Sequence, residues 1–215
     1  MRLLPSLLIV TAIAIALWQW ALIPRPRSRS FAVLGLLIAA ALLTEVYGGI
    51  TNYFIFDNNI PYNLFGQLEA LLVLYLIGTL RPSWKRWLIA SGALFIISFI
   101  SNVVYRGTLH VLMVETILLN AFLLSLLLMA TLWWLAQTSD QPLQRVPLFW
   151  ILLGLLMYFA GMLPTIGGYE FIFHEYETGH RVFHIVQGLC IIRYLLTAYG
   201  CYLARTERPL PLPAA

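Results

Sequence analysis

The sequence predicts an all-α membrane protein, a bundle of seven transmembrane helices. Three observations carry this. The 215 residues are 61% apolar and only 10% charged, against about 45–50% apolar in a soluble domain. Mean hydropathy is +0.85. The apolar residues fall in seven continuous runs of about the length needed to cross a bilayer, not in the ten-residue alternations of a barrel. A helix also satisfies its own backbone hydrogen bonds in lipid.

The expected spans are Leu3–Ile23, Phe31–Gly49, Tyr62–Leu80, Trp87–Val104, Leu109–Leu135, Leu148–Leu163 and Arg181–Leu203, numbered 1 to 7. Span 1 meets PRPRSRS with no small-residue cleavage site before it, so it reads as retained rather than as a signal peptide. Spans 2 and 3 are joined by ITNYFIFDNNIP, residues 50–61. Spans 3, 4, 5 and 6 follow through short turns, as in a compact helical bundle. Pro164 and Gly167-Gly168 are expected to end span 6. A loop over residues 164–180 then leads to span 7. Residues 1–204 form one membrane domain, and the proline-rich tail 205–215 reads as a solvated appendage. No soluble catalytic or nucleotide-binding module has room, and a net charge of +4 is no sign of nucleic acid here.

Basic residues set the expected orientation. Arg25, Arg27, Arg29, Arg81, Lys85, Arg86, Arg145, Arg205 and Arg208 fall on one side, against Arg2, Arg106 and Arg181 on the other. That places the N-terminus outside and the C-terminus in the cytoplasm of a plasma (inner) membrane. All seven tryptophans (Trp18, Trp20, Trp84, Trp87, Trp133, Trp134, Trp150) cluster at span ends on the arginine-rich side, as interfacial Trp does.

Polar residues gather in the other half. Glu45, Glu69 and Glu115 lie within about two turns of the outer ends of spans 2, 3 and 5. Asn120 is deeper, and His184 and Gln187 open span 7. Ionisable groups in a span cost several kcal/mol unless paired or wet. Three carboxylates at one level therefore read as an outward-facing polar cavity, with interhelical hydrogen bonding as the alternative. Arg193 is the deepest charge and needs a counter-ion, with Glu69 or Glu115 expected. Nine residues of helix place it on the face opposite His184.

Residues 170–184, EFIFHEYETGHRVFH, hold three of the four histidines. His180 and His184 have the i, i+4 spacing of a zinc pair, with His110 or Glu115 as a further ligand. His174, Glu175 and Glu177 read as a solvated loop face. Cys190 and Cys201 sit about 16 Å apart along one helix, too far to pair.

GHRVFHIV resembles the last-helix motif of the seven-span hydrolase superfamily of alkaline ceramidases and progestin and adiponectin receptors. That resemblance implies zinc ligation by His180 and His184, with Glu115 or Glu69 as base in hydrolysis of a lipid amide or ester. The superfamily's early Ser-x-x-x-His has no counterpart in span 2, and no Asp lies in a span. A broader likeness is to a group of bacterial seven-span integral membrane proteins. Thr44-Glu45, Asn58-Asn59, Tyr62-Asn63 with Glu69, and Phe149-Trp150 with Gly154, Tyr158 and Gly161 carry it. It implies a common site at Glu45, Tyr62, Asn63 and Glu69 and brings no activity. Retinal chemistry is set aside, since the one lysine, Lys85, is in a loop.

The reading is thus a multi-pass protein binding a small or lipidic ligand at Glu45, Tyr62, Asn63, Glu69, Glu115, Asn120, His184 and Gln187, or docking a partner subunit. A zinc hydrolase is the alternative, and a transporter or channel the third. Gly35 with Ala39, and Gly154 with Tyr158, are candidate faces for self-association.

Overall fold

The computed structural model describes residues 3–54, 59–172 and 176–206, with side chains over 5–50, 59–168 and 184–206. Among the described residues, seven α-helices follow in order: α1 Leu3–Ala21, α2 Arg29–Phe54, α3 Asn59–Leu80, α4 Lys85–Arg106, α5 Val114–Thr138, α6 Pro147–Ile172 and α7 Tyr176–Thr206. Short 3₁₀ turns precede α4 and α6 at Pro82–Trp84 and Leu143–Arg145. Six helices are long and apolar enough to cross a membrane, and α1 is a shorter apolar helix.

Each helix packs on the next, and α7 closes the ring against α1. α3 also touches α5, which leaves α4 outside. The burial of their apolar windows shows the difference: 56% for α3 and 11% for α4. The core runs through the bundle, with Ile13, Leu37, Ile77, Leu124, Leu152 and Cys201 among its innermost side chains, and α4 adds Leu88 and Phe95 to it.

Glycines bring α6 and α7 together. A Cβ on Gly154 would sit 3.0 Å from the Arg193 carbonyl oxygen, and one on Gly200 would sit 2.7 Å from that of Pro147. Gly161 receives Leu189. Gly154, Tyr158 and Gly161 therefore lie on the face that meets α7, and Gly35 is covered by the Trp20 ring. The glycines expected to serve self-association at 35 and 154 are used within the chain instead.

Arginine and tryptophan knit one end of the bundle. Arg81 stacks on Trp84 and Trp134, with its guanidinium carbon 3.9 and 5.2 Å from the ring centroids. Trp150 meets Tyr199 edge-on at 5.1 Å, joining the start of α6 to the last turns of α7. Trp84, Trp134 and Trp150 make this the tryptophan end of the bundle.

Several boundaries differ from the sequence reading. α6 runs through Pro164 and Gly167-Gly168 to Ile172. Proline removes one N–H from the ladder, and in membranes nearby hydroxyls commonly re-satisfy such a turn. Thr165 Oγ1 donates to the carbonyls of Gly161 and Met162, next to the Ala160 carbonyl that Pro164 deprives of its helical N–H. α2 runs on to Phe54, and α5 starts at Val114, because residues 109–113 are an apolar loop. α7 begins at Tyr176, so much of the expected 164–180 loop is helix.

Candidate functional site

A mid-helix ion pair organises the interior. Glu69 lies ten residues after the start of α3 and eleven before its end, and Arg193 thirteen before the end of α7. Both are almost wholly buried, at 3% and 1% exposure. Arg193 Nη1 meets Glu69 Oε1 at 2.5 Å, off the line of a directed hydrogen bond. α3 and α7 are not packed side by side, so two long side chains bridge the middle of the ring. Of the two expected counter-ions, Glu69 is the one Arg193 meets.

Aromatic rings hold the guanidinium. Its carbon lies 4.7 Å from the centroid of Tyr158 and 4.8 Å from that of Tyr194, within the range of cation–π attraction. Gly154 lets α6 approach the Arg193 backbone, and Tyr158, one turn on, then lies beside its head group. Arg193 Nε and Nη2 have no hydrogen-bond partner among the described residues.

A second carboxylate borders the pair. Tyr62 donates its hydroxyl to Glu45 Oε2 at 3.1 Å. Gly48 makes this possible, because a Cβ there would stand 3.2 Å from the Tyr62 ring and hydroxyl. Half-buried Glu45 is within electrostatic reach of Glu69. Cys190 of α7 lies in the same field as Glu45, Glu69 and Arg193. Helices α2, α3, α6 and α7 thus each contribute to one polar cluster.

Other expected site residues go elsewhere. Asn63 Nδ2 donates to the carbonyls of Leu109 and Val111 at 3.0 and 2.9 Å, and its Oδ1 accepts from the Met113 N–H at 3.1 Å. Its whole amide braces the α4–α5 loop. Glu115 does not join the buried carboxylates. Its side chain is 59% exposed and takes Arg106 Nη2 at 2.7 and 2.9 Å. The cause is the late start of α5, which puts Glu115 in the first helical turn. Asn120 is buried and donates to Gln67 Oε1 at 3.2 Å. Gln67 is two residues from Glu69, so this bond lies on a different face of α3.

His184 is exposed, as its opposition to buried Arg193 requires, and its Nδ1 lies 3.0 Å from Gln187 Oε1. The His110 carbonyl accepts from Asn59 Nδ2 at 2.7 Å. The His180 side chain lies outside the description, as do those of Glu170 and Glu177. His174 and Glu175 lie outside the described residues altogether. Among the described residues, no three His, Cys, Asp or Glu side chains gather to hold a metal ion.

Tyr194 and Gln67 were not singled out by the sequence. Their signal was adjacency, one and two positions from a buried charge. Comparison of the chain with protein-family models, with curated proteins and with solved structures gives no match.

Proposed function

We propose that the chain is a seven-span protein of the plasma (inner) membrane, N-terminus outside, that binds a small polar or lipidic ligand at the Glu45–Tyr62–Glu69–Tyr158–Arg193 cluster. One observation carries the reading. Arg193 is wholly buried at mid-helix, yet two of its nitrogens bond to no described residue. A buried donor without an acceptor costs about 1–3 kcal/mol, more for a charged group. An oxygen-bearing ligand, such as a carbonyl, carboxylate or phosphate, meets that need. Glu45 and the Tyr62 hydroxyl offer it a second polar wall, reached from the end of the bundle opposite the tryptophans.

The positive-inside count and the interfacial tryptophans support the orientation, with α1 as the seventh span. The test is native mass spectrometry of protein purified in mild detergent. Wild type is expected to carry a bound small molecule or lipid. The double variant Glu69→Met/Arg193→Met keeps the helices packed without the charges, and it is expected to lose that mass. Retention by the double variant of every mass bound to wild type would sink the assignment.

A further inference from the structure

We propose a second site, at the tryptophan end: the cleft between α1 and α2 docks the phosphate of an anionic lipid headgroup. The cleft is open, about 680 Å³ in volume, and lined by Trp20, Arg25, Pro26, Arg27 and Ala32. Its lining holds two arginines and no acid.

The cleft is built before any ligand arrives. Trp20 is fixed by donating Nε1 to the Phe31 carbonyl at 2.6 Å. Its ring lies on Gly35, where an added Cβ would fall 2.1 Å from a ring carbon. Arg27 lies over that ring at 4.1 Å. Its Nε and Nη2 donate to the carbonyls of Ile23 and Ala21 at 3.2 and 2.8 Å. A guanidinium has five N–H groups, so three remain for an anion on a head group that is already immobile. Holding it in place reduces the ordering cost of binding. Arg25 is exposed and makes no hydrogen bond or ion pair with the described residues.

The surroundings favour a lipid over a soluble phosphate. The cleft opens where two apolar helices end, at the level of interfacial tryptophan, which is headgroup depth. Trp20, Pro26 and Ala32 give it apolar walls suited to glycerol and the first acyl carbons. Basic pockets between transmembrane helices characteristically take anionic head groups. The proposal requires only that α1 and α2 span a bilayer, and it is independent of the mid-helix ligand.

The test uses the full chain in phosphatidylcholine-based mixed micelles, titrated with phosphatidylglycerol and read by native mass spectrometry. Arg25→Gln and Arg27→Gln are each expected to weaken binding about fivefold, equivalent to about 1 kcal/mol per basic group at an anionic surface. Arg205→Gln, exposed at the same end but not lining the cleft, is expected to leave binding unchanged. Arg25 is exposed and makes no hydrogen bond or ion pair with the described residues, so Arg25→Gln decides the matter even if Arg27→Gln fails to fold. Equal losses in all three variants, or none in Arg25→Gln, overturn the proposal. Displacement of the lipid by inorganic phosphate also overturns it, in favour of a soluble anion. Glu69→Met/Arg193→Met is expected to keep this lipid, which separates failure here from failure of the mid-helix site.

Discussion

Replacing one member of the Glu69–Arg193 pair is expected to damage the fold more than replacing both. The contact at 2.5 Å sets the charge centres about 4 Å apart, and at an effective dielectric of about 20 their attraction is roughly 4 kcal/mol. Breaking a buried pair typically costs about 3–5 kcal/mol, whereas replacing both ions with apolar side chains is often neutral. The two single variants should also differ. Glu69→Met strands a guanidinium that cannot lose its proton, so it belongs near 5 kcal/mol. Arg193→Met strands a carboxyl that escapes the penalty by taking up a proton, so it belongs near 3 kcal/mol. Glu69→Met/Arg193→Met should return to within about 1 kcal/mol of wild type. The assay is reversible unfolding in mixed micelles titrated with dodecyl sulfate, run as a double-mutant cycle. Additive single effects, or Arg193→Met more damaging than Glu69→Met, would refute the reasoning.

Further expectations follow from contacts elsewhere. Gly154→Leu drives a side chain into the Arg193 carbonyl and should cost at least about 1–3 kcal/mol in the same titration. Gly66→Ala meets nothing within 4 Å and should stabilise α3 by about 0.5–1 kcal/mol. Asn63→Ala removes three hydrogen bonds to the α4–α5 loop and should cost about 1–3 kcal/mol. Hydrogen exchange at the Met113 amide should then quicken, and unchanged protection there would contradict the bracing role. Glu115→Gln loses only an exposed pair with Arg106 and should change stability by less than about 1 kcal/mol, in contrast to Glu69.

The helices were legible because lipid makes apolar length and charge placement expensive to violate. The same pressure made Arg193 legible as a charge in need of a carboxylate. What separated Glu69 from Glu115 was not legible. Residues 109–113, LHVLM, are apolar enough to extend a span, yet they form a loop, held by an asparagine from another helix. Hydropathy registers composition and not which carbonyl an Asn63 amide finds. Pro164 was misleading for a related reason. α6 continues through it to Ile172, because lipid offers an interrupted turn no water to replace helical hydrogen bonds. The Gly154, Tyr158 and Gly161 spacing was visible, but whether that face met α7 or a second copy depended on tertiary packing.

The separation of the central pair in the chain also governs how the protein is made. Glu69 and Arg193 lie 124 residues apart, so at about 5–20 residues per second synthesis of one precedes the other by roughly 6–25 s. During that interval α3 has entered the bilayer with a carboxyl and no counter-ion. Biogenesis must shelter the nascent third helix, at the insertion machinery or by protonation, until the seventh arrives. A ribosome stalled short of residue 193 would therefore endanger an N-terminal half whose own sequence is intact.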